Sequence, residues 1–115
     1  MDWLWIFIRN IMVVNLSIRD RLTIIAMLPT AGNMSDLVEI VELVKSLRFT
    51  DEEKDEIQYK EDGGQIKWNP SKDIQKEIDI NYSQLGIIKK RIQELDSEGK
   101  ITLSTLDTCL KFSKL

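Results

Sequence analysis

The sequence predicts an α+β domain: an N-terminal helical hairpin plus a short helix, a small three-stranded antiparallel sheet, and two C-terminal helices. Three observations carry that class. Apolar residues recur at helical spacing on both sides of Pro29-Thr30-Ala31-Gly32-Asn33. From Ile57 to Ile80 they alternate with polar residues, interrupted by Glu61-Asp62-Gly63-Gly64. From Leu85 onward the helical spacing returns.

In chain order, Met1 to Val14 opens with a dense apolar run, Trp3-Leu4-Trp5-Ile6-Phe7-Ile8, bordered by Asp2, Arg9 and Asn10. Six residues do not span a bilayer, which takes about 20. A signal peptide fits poorly, since the basic residue follows the run and no small-residue cleavage site is visible. The run reads as an added strand, an interfacial arm, or an extension outside the domain. The extension is the favoured reading, with residues 1–13 outside a single domain of residues 14–115, and Met12 opens a shorter chain.

Ser17-Ile18-Arg19-Asp20 is a capping box that starts the first helix, although Asp is a shorter third member than Glu or Gln. Ile18, Leu22, Ile25 and Leu28 define its apolar face, and Pro29 disfavours helical geometry at Leu28. Asn33 caps a second helix that turns Leu37, Ile40, Val41, Val44 and Leu47 inward and Asp36, Glu39, Glu42 and Lys45 outward. Neither stripe is hidden alone, so the two helices pair as a hairpin. Gly32 belongs to a plain turn, because one glycine makes no phosphate cradle. Thr50 and Glu53 then cap a short helix whose first turn, Asp51-Glu52-Glu53, complements the helix dipole.

Ile57 and Tyr59, then Ile66 and Trp68, alternate as the arms of a β-hairpin, with Asp62-Gly63 at its type I′ turn and Asn69-Pro70-Ser71 as its stop. Lys76 to Ile80 supplies the third strand, with Ile78 and Ile80 on one face. Asn81 caps a helix that buries Leu85, Ile88, Ile92 and Leu95, leaves Lys89, Lys90 and Arg91 largely outside, and ends at Gly99. A final helix from Leu103 to Ser113, capped by Thr102, is expected to bury Leu103, Leu106 and Leu110.

A chain of 115 residues with 43% hydrophobic content holds one domain and one modest core. The single cysteine, Cys109, excludes an intramolecular disulfide and reads as a small core residue. The chain has no histidine, which removes the commonest general base, the commonest zinc ligand and the Ser-His and Cys-His dyads together. A net charge of −3 argues against a sequence-independent grip on phosphate backbones.

The stretch from Leu16 to Leu22, Met27 to Asn33, Leu47 to Glu53, Ile66-Lys67-Trp68-Asn69 and Leu95 to Thr102 resembles a family of small phage and prophage proteins. The resemblance spans roughly Leu16 to Phe112 and leaves the first dozen residues outside. It implies a phage or prophage setting in the host cytoplasm. The family has no assigned activity, so no catalytic residues carry over.

The acidic run Asp51, Glu52, Glu53, Asp55, Glu56, Glu61 and Asp62 lacks the offsets and central glycine of a calcium loop, having Lys54 in its middle, and reads as a solvated face. Tyr59 and Trp68 suit packing better than base stacking, because Lys60 and Lys67 are answered by Glu61 and Asp62. Three helices followed by a hairpin also match the order of a winged helix. The helix in the recognition position, Asp51 to Glu56, is acidic and would repel a major groove. A winged-helix-like nucleic-acid-associated regulator using Lys89, Lys90 and Arg91 or the wing is therefore the alternative. From Asp51 to Asp62 seven acids face two lysines, a local charge of −5, which leaves +2 over the rest of the chain. The leading expectation is a non-enzymatic interaction protein with no cofactor and no metal. Glu52, Asp55, Glu56, Glu61 and Asp62 would receive a basic host or phage protein.

Overall fold

The computed structural model describes residues 11–115. Their order is β1 (Ile11–Leu16), α1 (Ile18–Met27), α2 (Met34–Leu47), α3 (Asp51–Ile57), β2 (Lys60–Asp62) and β3 (Gln65–Lys67). A 3₁₀ turn (Pro70–Lys72), β4 (Lys76–Asn81), α4 (Tyr82–Ser97) and α5 (Leu103–Ser113) complete the chain. The class is α+β. Among the described residues, no helix is long and apolar enough to cross a membrane.

The three-stranded sheet is replaced by two separate antiparallel pairs, β1 with β4 and β2 with β3. The reason lies in what each strand has to bury. In β4, Ile78 and Ile80 need an apolar partner, and β1 supplies one by pairing Met12 with Ile80 and Val14 with Ile78. Both arms of the hairpin are exposed throughout and have no face to hide. Residues 1–10 lie outside the described residues. Ile11, Met12 and Val13, assigned above to the extension, instead belong to β1, so a boundary at residue 14 cuts through a strand.

The hairpin is shorter than its alternation predicted. Ile57 is the fully buried last residue of α3, and Gln58 follows in a left-handed conformation that releases the chain toward β2. Asp62 pairs with Gln65, so the turn is Gly63-Gly64, one residue beyond the Asp62-Gly63 expected. A type I′ turn needs positive φ at both central residues, and the two glycines have φ of +57° and +80°.

The core lies between the inner face of the β1–β4 ribbon and the helices. α2 packs on α4, and α5 packs against α1 and α4. Val14, Leu16, Ile24, Leu43, Leu47, Ile80, Ile88, Cys109 and Phe112 form its centre. Each cap places its helix as predicted: the boxes Ser17–Asp20, Thr50–Glu53 and Asn81–Gln84 carry both reciprocal bonds. Leu28 is the extended cap that ends α1 before Pro29, and Gly99, at φ +67°, follows α4.

Three helix faces differ from expectation. α1 turns Asp20, Arg21, Thr23 and Ile24 inward, while Leu22 and Ile25 are half-buried. α2 buries Leu43 and leaves Val41 exposed. α5 is rotated so that Thr108, Cys109 and Phe112 face inward, and Leu103, Leu106 and Leu110 are exposed. Polar contacts of Arg21 on α1 and of Thr108 and Lys111 on α5 fix these two rotations.

Candidate functional site

The charged centre of the molecule is Arg21, whose side chain is fully buried. Its guanidinium forks onto Glu53 of α3, with Nη1 donating to Oε2 at 2.6 Å and Nη2 to Oε1 at 3.2 Å. Nε donates to the Leu47 carbonyl at 3.0 Å and Nη2 to the Arg48 carbonyl at 2.8 Å, so Arg21 also caps the end of α2. The ring of Phe49 lies 4.0 Å from the guanidinium carbon. The Arg21 hydrogen bonds outweigh the desolvation that opposes them and pull the Glu53 pKa down to about 2.

Asp20, the neighbour of Arg21, ties the opposite side of α1. It accepts from the Ser17 amide at 3.1 Å as a capping partner. It also accepts from Thr108 Oγ1 at 2.6 Å and from the Lys111 ammonium, both on α5. Burial would raise its pKa, but the Lys111 and Thr108 bonds win and hold it below the ordinary carboxylate value. Lys111 additionally reaches the Asn15 carbonyl of β1 at 3.2 Å. These bonds require Thr108 and Lys111 to face α1, which turns the leucines of α5 outward.

The five predicted contact residues lie beside this centre and take no part in it. Glu52, Asp55 and Glu56 are exposed on α3, and Glu61 and Asp62 are exposed on β2 a few residues on. α3 is held firmly beneath them by Glu53, by the buried Ile57, and by the Asn69 amide donating to the Ile57 carbonyl at 2.8 Å. Glu61 accepts from the Tyr59 hydroxyl at 3.0 Å, and Asp62 stands 3.8 Å from the Lys67 ammonium. Lys54, the one cation within α3, sits over the Tyr59 ring at 5.2 Å. All five acids are exposed, three on α3 and two on β2, whereas Glu53 is drawn in to Arg21.

The aromatic pair is not a platform. Tyr59 packs on Phe49 with ring centroids 5.8 Å apart, whereas Trp68 lies 5.9 Å from the Arg19 guanidinium. The basic triplet is largely committed elsewhere. Arg91 Nε donates to the Met27 carbonyl at 2.8 Å and its Nη1 to Glu94 at 3.2 Å, while Lys89 donates to the Leu115 carbonyl at 3.1 Å. Among the described residues, no three His, Cys, Asp or Glu side chains are grouped to hold a metal ion. Cys109 is buried, and burial pushes its thiol pKa up, away from nucleophilic use.

Sequence reasoning missed Arg21, Thr108 and Lys111 as organising residues. Only one signal was available: the capping box at Ser17 singles out Asp20, and Arg21 follows it. Comparison with family models, curated proteins and solved structures finds no match to this chain.

Proposed function

We propose that this chain is a non-enzymatic protein-interaction module of phage or prophage type, acting in the host cytoplasm. It receives a basic host or phage protein on the acidic edge formed by α3 and the hairpin. The phage setting rests on the sequence resemblance alone. The observation that carries the binding surface is the split within α3. Glu53 is consumed by Arg21, while Glu52, Asp55 and Glu56 stay outward on a helix anchored from below. On an anchored helix the backbone is already ordered, so a partner that engages these acids has only their side chains left to fix. Their field steers a basic partner over a screening length of about 8 Å at physiological salt. The dipole of α3 favours Asp51 to Glu53 in its first turn but gives no such reason for Asp55 and Glu56 near its end.

The second reading is a winged-helix-like nucleic-acid-associated regulator, favoured by the order α1, α2, α3 and then the hairpin. Charge opposes it, since α3 would meet phosphates with acids. One variant separates the two: Glu52→Lys with Asp55→Lys and Glu56→Lys, compared with wild type in a pulldown from host lysate and in a gel shift at low salt. The interaction reading expects a salt-sensitive protein partner that the variant loses while its circular dichroism is unchanged. Tight DNA binding by the wild type, or an unchanged capture profile in the variant, overturns it.

A further inference from the structure

Between α1, α4 and the first turns of α5 lies a cleft of about 230 Å³. Helix α1 lines it with Thr23 and Met27, α4 with Arg91 and Leu95, and α5 with Thr105 and Cys109; the exposed Lys100 comes from the turn between the last two helices. Thr23 stands apart from the other buried polar residues. Asp20, Arg21, Gln84 and Thr108 are all hydrogen-bonded within the protein. Thr23 is only 8% exposed, yet its hydroxyl has no hydrogen-bond partner among the described residues. Among those residues no side-chain nitrogen or oxygen is both sealed from solvent and unbonded, so this hydroxyl opens onto the cleft that Thr23 lines. A buried hydroxyl is costly unless something bonds it.

We propose that this cleft binds a small organic anion, a carboxylate carried on a short apolar chain or a single ring, with Thr23 as a hydrogen-bonding partner. The lining sets the charge. Arg91 spends Nε on the Met27 carbonyl at 2.8 Å and Nη1 on Glu94 at 3.2 Å, which leaves Nη2 for a ligand. Lys100 stands 2.9 Å from Glu98. Glu94, Glu98 and Asp96, whose field reaches Cys109, are close by, but none of the three lines the cleft. Solvent-exposed ion pairs of this kind hold their partners weakly, so both cations can turn to a bound anion. Thr105 lies in the first turn of α5 and brings the positive end of that helix dipole to the same place. Met27 and Leu95 supply apolar contact, and the Cys109 thiol adds no charge, because burial pushes its pKa up. Size sets the rest, since drug-sized ligands occupy roughly 300–1,000 Å³ and this cleft is smaller. None of its lining residues belongs to α3 or the hairpin, so the site is separate from the acidic edge.

Chemical-shift titration of the full chain with hexanoate and with benzoate tests this. Hexanol and benzyl alcohol serve as the uncharged counterparts, and inorganic phosphate as an anion without an apolar body. At least one carboxylate should bind saturably, about tenfold tighter than its alcohol and than phosphate, and should move the amides of Thr105 and Cys109. Thr23→Val keeps the shape and removes the hydroxyl, so it should weaken that binding about tenfold. The melting temperature of the unliganded variant should not fall, because the hydroxyl bonds nothing inside the fold. Lys100→Gln, at an exposed side chain, should weaken binding about threefold, and Lys89→Gln, away from the cleft, should leave it unchanged. Failure of both carboxylates to saturate overturns the proposal. So does an alcohol or phosphate that binds as tightly, or wild-type affinity in both Thr23→Val and Lys100→Gln. A Thr23→Val protein that melts lower or fails to fold without ligand also overturns it, since the hydroxyl would then serve the fold itself.

Discussion

Glu53 and its neighbours Glu52, Asp55 and Glu56 share one seven-residue helix and one charge sign, yet they do opposite work. Glu53 closes a capping box with Thr50 and then spends both oxygens on the fully buried Arg21. Its neighbours meet water. The difference comes from rotation about the helix axis. Glu53 lies on the same side as the buried Ile57, four residues on, and the other three lie off it. A run of acids is therefore not one surface. One member holds the helix, and the rest are left exposed.

The sharpest way to break this contrast is to remove Arg21. Arg21→Leu strips Glu53 of its partner and the Leu47 and Arg48 carbonyls of their donor, and should cost about 3–5 kcal/mol in denaturant unfolding. Substitution of the three exposed acids should change stability by less than about 0.5 kcal/mol. Acid titration sharpens the same point. Because the folded pKa of Glu53 is about 2 against an ordinary 4.5, its stabilisation is complete above pH 4.5 and is lost as pH falls toward 2. Glu53→Gln should be less stable at neutral pH and should flatten the melting temperature across that window. A variant that keeps the wild-type acid slope would contradict the assignment.

Thr108→Val tests the opposite side of α1, where Asp20 plays the part that Glu53 plays on α3. Loss of a hydrogen bond to a buried carboxylate should cost about 1.5–3 kcal/mol, read from the same unfolding curves. A smaller effect is expected in the hairpin. Gly63→Val forces a β-branched side chain to φ +57° and should cost about 1 kcal/mol while displacing Glu61 and Asp62. No atom blocks a Cβ there, so the backbone alone sets that cost.

What the sequence made legible was local. Ser17 with Asp20, Thr50 with Glu53 and Asn81 with Gln84 are reciprocal bonds between residues three apart, and each starts its helix where predicted. The hairpin was visible through its glycines, with the turn displaced by one residue because Gly63 and Gly64 together meet the type I′ requirement better than Asp62 and Gly63. The failures were long-range. β1 pairs with a strand some 65 residues away in the chain, and the apolar residues before it masked its alternation. The α5 leucines have flawless helical spacing, yet Thr108 and Lys111 turn that helix to reach Asp20, 88 and 91 residues distant. Periodicity reports that a stripe exists, and it is silent when a polar tie sets the rotation. For the candidate surface, residue identities were legible, but the removal of Glu53 from it was not.

We propose that the exposed acids bind a protein while Glu53 holds their helix. It is tested most directly by measuring partner retention against salt for three proteins: wild type, Glu53→Gln, and the triple lysine variant at Glu52, Asp55 and Glu56. Wild type should retain a partner at low salt and shed it as salt rises. The triple variant should lose that partner at an unchanged melting temperature, and Glu53→Gln should melt lower with retention kept below its transition. Full retention by the triple variant, or an unaltered melting temperature in Glu53→Gln, would contradict it.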